Sequence, residues 1–304
     1  MKSRFLFPYQ FKLLGWFLAV PGFVLGYFVL YHEYKIPGFE LRLRDKDALF
    51  VPSIENFTNE LALILVLLGL LFIAFSREKK EDELTVRMRY NALYWAILIN
   101  YLIYGVWLVV ALVHDLFFFN NQVRVLSNFF TDILPIWIYN LFTPLVIFVI
   151  RYYYLRYSKN NEYKIDKLFY LPYKPFKVIG ISVSIVMLTG ILLSFIIKWV
   201  SGNRINEDIL EDMMLFLPLA LLLWTYSKEK NEDEFIATLR LESMQLAVYT
   251  NYIILLVANC FLFFTDFMVF MFINLSTITL FFVIRFNYIL RKYNKATEQG
   301  ELAS

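Results

Sequence analysis

The chain has 304 residues, 60% of them hydrophobic, 19% aromatic and only 18% charged. Soluble domains run at about 45–50% apolar and about 25% charged, so a soluble enzyme with a single core is excluded. A net charge of +3 is too small and too dispersed for a surface that tracks nucleic-acid phosphates. The single Cys260 rules out a disulfide framework or a Cys-rich metal centre, and His32 and His114 make no ligand cluster. No cofactor or metal is expected.

A membrane-spanning helix needs about 20 mostly apolar residues. In chain order the candidates are 13–31, 60–75, 91–113, 133–154, 178–199, 213–226, 244–264 and 267–289. The first has a basic start but is too long for a cleaved signal peptide and lacks a small-x-small cleavage site. The connection 32–59 holds Pro37, Gly38 and Pro52 and the alternating run Phe39 to Arg44, which predicts a strand pair or ordered loop on the outer surface. The spans 60–75 and 213–226 are short, and Pro218 interrupts only the latter. Short apolar segments at matching positions mark transporter sites, although snorkelling Lys and Arg also make up missing length. The last two spans are separated only by Thr265 and Asp266; one rod over both would be about 70 Å long, so they are read as two helices.

With the N-terminus inside, 22 of the 29 Lys and Arg fall on inner segments, while the acids divide evenly. The positive-inside rule then places both termini in the cytoplasm, which requires an even number of spans.

Internal repetition is the most informative signal. Residues 76–101 and 227–252 are identical at ten positions, including Ser76/Ser227, Glu78/Glu229, Glu81/Glu232, Asp82/Asp233, Glu83/Glu234 and Arg89/Arg240. Residues 131–156 and 265–290 are again identical at ten, at an offset 17 residues shorter. The extra residues of the first half lie around Phe117 to Asn128. A weaker match, Phe11-Lys12-Leu13-Leu14-Gly15 against Phe176-Lys177-Val178-Ile179-Gly180, opens each half. The expected organisation is a first repeat 1–156, a linker 157–177, a second repeat 178–292 and a tail 293–304. Four spans per copy keep both copies in one orientation, giving a parallel pseudo-two-fold.

The repeated residues supply the candidate sites. If helical, Glu78, Asp82 and Arg89 share a stripe within about 40°, repeated by Glu229, Asp233 and Arg240. Glu83 precedes Arg87 by four residues, a favourable helical pair. This motif reads as a cytoplasmic docking surface, as ion pairs between the halves, or as a solvated helix start. Glu81, Asp82 and Glu83 also form an acidic cluster, but no Gly-bearing cation loop accompanies them. Within the spans, Asn100/Asn251, Asn140/Asn274 and Thr143/Thr277 suit interhelix hydrogen bonds, or line a substrate path. At the outer ends stand Glu60/Glu211 and Asp132/Asp266, the latter pair placed as helix N-caps or as a cation vestibule. Arg151/Arg285 and Tyr154/Tyr288 suit the inner interface.

The pattern Ser-(Arg/Lys)-Glu-Lys-x-Glu-Asp-Glu, followed in the second copy by Leu239-Arg240 and Ser243, resembles an uncharacterised family of bacterial multi-span inner-membrane proteins. Such proteins are often encoded beside a helix-turn-helix regulator. The likeness is strongest over 227–292 and looser over the first copy, where Ala92 stands in place of Ser243. It implies a bacterial cytoplasmic membrane and a regulatory setting. No nucleotide loop, hydrolase elbow or zinc-protease motif is present.

The sequence therefore predicts an all-α, eight-span integral membrane protein with N and C termini inside. Its expected role is non-enzymatic and sensory or regulatory, presenting two charged cytoplasmic motifs to a regulatory protein or to a second copy of itself, without contacting nucleic acid. The alternative is a small-solute or ion transporter with a path between the repeats; an intramembrane enzyme ranks third.

Overall fold

The computed structural model describes residues 5–44, 53–79, 81–117, 136–157, 168–201, 207–230, 232–262 and 264–298. Among these residues there are eight α-helices: α1 (Gln10–His32), α2 (Thr58–Phe75), α3 (Glu83–Phe117), α4 (Ile136–Tyr157), α5 (Val178–Ser201), α6 (Glu207–Thr225), α7 (Glu234–Phe261) and α8 (Phe264–Glu298). Each falls on a predicted span. Six stretches are long and apolar enough to cross a membrane: Gln10–His32, Thr58–Phe75, Glu83–Val110, Tyr173–Ile197, Glu234–Phe261 and Val269–Ala296. The expected shortness of the sixth helix recurs, its apolar part covering only Asp212–Thr225. Pro21, Pro144 and Pro218 lie inside α1, α4 and α6 without ending them. The 17 extra residues expected after the third span fall mostly outside the described residues.

Strands β1 (Glu40–Arg44) and β2 (Ser53–Asn56) pair antiparallel, Glu40 opposite Asn56, with an irregularity between Arg42 and Arg44. The alternating run Phe39 to Arg44 is thus a strand. Asn56 secures its exit: its Oδ1 accepts the Thr58 amide at 3.1 Å, and its Nδ2 donates to the Ile36 carbonyl at 2.8 Å.

Two helix boundaries differ from expectation. The break between the last two spans falls at 262–263, before Thr265, because α7 ends at Phe261 and α8 starts at Phe264. Asp266 therefore lies inside the first turn of α8, where its charge complements the helix dipole, and not at the N-cap. The cytoplasmic motif is not a helical stripe either. α3 begins only at Glu83 and α7 at Glu234, so Glu78, Glu81, Glu229 and Glu232 precede the helices.

The chain forms two compact units, residues 1–167 with 252–271, and residues 168–251 with 272–304. Residues 168–177, expected in the linker, thus belong to the second unit, and 252–271 to the first. In the first unit α1 packs along α2, and α4 packs on α2 and α3. In the second, α5 packs along α6, and a one-turn π-helical segment at Tyr173–Lys177 leads into α5.

Small residues set the α1–α2 approach. Gly15, Ala19 and Gly22 are the buried residues of α1. A Cβ at Gly15 would lie 2.8 Å from the Gly69 carbonyl oxygen and 2.9 Å from the Ile73 nitrogen. One at Gly69 would lie 2.4 Å from the Ala19 nitrogen. The second unit repeats the device: a Cβ at Gly180 would lie 2.6 Å from the Trp224 nitrogen, and Ser184 is fully buried one turn on. Helices in lipid gain little from apolar burial, so close backbone approach through small-xxx-small stripes is what holds them. Much of the rest of α1 and α5 is exposed, including Leu13, Phe17, Val20, Val186 and Leu193.

Gly69→Val is therefore expected to push α1 off α2, lowering the melting temperature of detergent-solubilised protein and opening α1 to protease. Gly26→Ala is the control: no atom lies within 4 Å of its Cβ position. It should leave packing intact and stabilise α1 by about 0.5–1 kcal/mol through helix propensity.

Candidate functional site: two charged helix corners

Where α2 turns into α3, the chain leaves an apolar helix and must satisfy freed backbone groups and charges within seven residues. The segment before α1 meets this turn. The Arg77 amide donates to the Phe7 carbonyl at 2.9 Å, and the Phe7 amide to the Phe75 carbonyl at 3.0 Å. Glu78 is buried, and its Oε1 takes ion pairs from Lys12 of α1 and Arg156 of α4 and a hydrogen bond from the Tyr152 hydroxyl at 2.9 Å. Its own amide donates to Glu81 Oε2 at 2.9 Å.

Arg89, one turn and a half into α3, is 2% exposed. It donates to Glu81 Oε1 at 2.5 Å and to the Ser76 carbonyl at 3.1 Å, and its guanidinium lies 5.6 Å from the Tyr152 ring centroid. Asp82 accepts the Thr85 amide at 2.7 Å, the geometry of an N-cap, which is why α3 starts where it does. Glu83 pairs with Arg87 at 2.7 Å, as the sequence predicts, on the exposed face.

The second corner makes the same contacts with the matching residues. Leu171 takes the place of Phe7: its amide donates to the Tyr226 carbonyl at 2.8 Å, and its carbonyl accepts from the Lys228 amide at 2.9 Å. Lys177 pairs with Glu229, and the Glu229 amide donates to Glu232 Oε2 at 3.0 Å. Arg240, 1% exposed, donates to Glu232 Oε1 at 3.1 Å and to the carbonyls of Ser227 at 3.0 Å and Thr225 at 2.9 Å. Its guanidinium lies 4.4 Å from the Tyr170 ring and 5.2 Å from that of Phe286. Asp233 accepts the Ile236 amide at 2.7 Å and caps α7.

The two corners differ in one respect. Phe286 replaces Tyr152 and Leu290 replaces Arg156, so Glu229 lacks two of the groups that hold Glu78.

The motif is therefore neither a plain solvated helix start nor a wholly open docking face. Each corner has an inner layer, Glu78, Arg89, Glu229 and Arg240, engaged within its own copy. Its outer layer, Asp82, Glu83, Asp233 and Glu234, is exposed. Glu81 and Glu232 bridge the layers. Lys12, Lys177 and Tyr152 were not among the candidate site residues. The signal for the lysines was present in the matched Phe-Lys-x-x-Gly openings, and it extends upstream to Phe7-Pro8-Tyr9 and Leu171-Pro172-Tyr173.

The intramembrane set is buried where it is described. Asn100, Asn251, Asn274 and Thr277 are buried and Thr143 is half-buried, whereas the side chain of Asn140 lies outside the described residues. Thr277 bonds Asn251 Oδ1, joining α7 to α8. Of the outer acids, Glu60 is buried in the first turn of α2, and its carbonyl accepts from Asn259 Nδ2 at 3.2 Å. Asp266 is exposed. Asp132 and the Glu211 side chain lie outside the described residues. Arg151 donates to Asn91 Oδ1 at 3.0 Å and Arg285 to Ser243 Oγ at 2.6 Å, so both are tied to the preceding helix of their own copy. Tyr154 and Tyr288 are exposed.

Comparison with family models, curated proteins and solved structures finds no match to this chain.

Burial alone would raise the Glu78 carboxyl, but the hydrogen bonds from Lys12, Arg156 and Tyr152 outweigh it and hold the group below its ordinary value of 4.5. A lowered folded-state value stabilises the fold fully above the unfolded value, and this stability is lost as pH falls through the folded value. Acidification below about pH 4.5 is thus expected to weaken the first corner progressively. Glu78→Gln should remove that pH dependence and lower stability at neutral pH by about 3 kcal/mol, because two cations then face a neutral amide. Thermal melts of both proteins across pH check this.

Proposed function

We propose that the chain is a non-enzymatic sensory or regulatory protein of a bacterial cytoplasmic membrane. It has eight spans in two parallel four-helix repeats, with both termini inside, and its two charged corners face the cytoplasm. The observation that carries this reading is the two-layered corner built twice from matching residues. The inner layer ties the first helix of each copy to the cap of the third, through Lys12 and Glu78 in one copy and Lys177 and Glu229 in the other. The outer layer leaves Asp82, Glu83, Asp233 and Glu234 exposed beside that tie. A shift of α1 or α5 in the bilayer would therefore be felt at an acidic rim that a basic protein surface can read. The repeat arrangement draws support from the twin Gly15 and Gly180 contacts, and the orientation from the Lys and Arg distribution.

One observation favours the alternative of an ion or small-solute transporter: the buried oxygen cluster of Asn251, Asn274 and Thr277. It shares the proposed topology and differs in what the intramembrane polar residues do.

Two measurements test the proposal. In a Cys260→Ser background, cysteines placed at Lys79 or Lys230 should react with an impermeant thiol reagent only after the cells are permeabilised. Labelling from outside overturns the orientation. Glu83→Lys with Glu234→Lys should leave the melting temperature unchanged and abolish co-purification of a cytoplasmic partner. Unchanged partner recovery would count against the regulatory reading.

A further inference from the structure

We propose that Asn251, Asn274 and Thr277 form a binding site for a small dehydrated monovalent cation, sodium in preference to potassium, between α7 and α8 in the second unit. Four oxygens converge there. Thr277 Oγ1 bonds Asn251 Oδ1 and lies 2.8 Å from the Asn274 carbonyl oxygen and 3.1 Å from Asn274 Oδ1. A hydroxyl carries one proton, so a single donor serves three acceptor oxygens. Acceptor oxygens brought together without donors repel one another through their dipoles, and a cation at their centre turns that repulsion into attraction.

The cluster is dry. Asn251, Asn274 and Thr277 are 0%, 2% and 7% exposed. It lies well inside the spans: Asn251 is about 26 Å from the start of α7, and Thr277 about 20 Å from the start of α8. The buried Asn251 Nδ2 has no hydrogen-bond partner. In the other orientation of the amide, Nδ2 would donate to Thr277, and Oδ1 would move to the position where Nδ2 now lacks a partner. A buried polar group left in this state calls for a physical reason, and a bound ion supplies one.

The donor set selects the ion. All four oxygens are neutral, so nothing offsets a second positive charge, and a divalent ion is disfavoured. Amide, backbone carbonyl and hydroxyl oxygens are the groups that replace a hydration shell around monovalent cations inside membranes. Oxygens packed this closely suit the smaller ion. The inference stands apart from the corner-and-partner reading, since the site would remain if the corners bound nothing.

The test uses the full chain in detergent, melted in sodium, potassium and choline chloride at equal ionic strength. A ligand that binds only the folded state raises the melting temperature in a saturable way. Sodium is expected to give a saturable rise of about 5 °C over choline, and potassium a smaller one. Thr277→Val, which removes one oxygen and keeps the shape, should abolish the rise, and Thr277→Ser should retain it. Identical melting of the unmodified chain in all three salts overturns the site, whatever the variants do. So does a sodium rise that survives intact in a folded Thr277→Val protein.

Discussion

A guanidinium buried at a helix corner is the constraint around which each half is arranged. Arg89 and Arg240 carry full charges at 2% and 1% exposure. An unpaired ion in such a place would cost several kcal/mol, so the surrounding chain has to deliver acceptors to it. Glu81 and Glu232 provide carboxylates, and Ser76 and Ser227 provide carbonyls that the end of the preceding helix has left unpaired. Those carbonyls are the ones a helix C-terminus always leaves over. One arginine therefore closes a helix end, neutralises a carboxylate and fixes the direction of the next helix.

The remaining parts of the corner follow from that placement. Glu81 and Glu232 can reach the arginine because a tight turn precedes the caps at Asp82 and Asp233. The turn is held by the amides of Glu78 and Glu229 donating back to those same carboxylates. Turning inward exposes the Glu78 and Glu229 side chains to the first helix of each copy, where Lys12 and Lys177 meet them. The first helix is otherwise held by glycine contacts with α2 or α6. Its attachment thus combines a close apolar seam within the span with one ion pair at its end.

Much of the architecture was legible in the sequence because it rests on local composition. Eight apolar stretches gave eight helices, and the alternation of Phe39 to Arg44 gave a strand. The ion pair of Glu83 with Arg87 followed from spacing alone. What the sequence hid was where the polar motif stops being loop and becomes helix. Residues 78–89 carry an acceptable helical pattern, and only the capping of Asp82 decides that Glu78 and Glu81 stay outside it. Lys12 was likewise hidden: its role depends on a partner 66 residues away that periodicity cannot reveal. The same holds for Tyr152, whose hydroxyl is absent from the second copy at Phe286.

The central claim is that matching charges are joined within each copy and hold the first helix to the corner. A charge exchange at Lys177 and Glu229 tests it most directly, because the second corner lacks counterparts of Arg156 and Tyr152. The account predicts that Lys177→Glu and Glu229→Lys each lower the melting temperature of the solubilised protein sharply. The double exchange should recover most of the loss, with a coupling of about 1–3 kcal/mol in the mutant cycle. Losses that simply add in the double variant would contradict it.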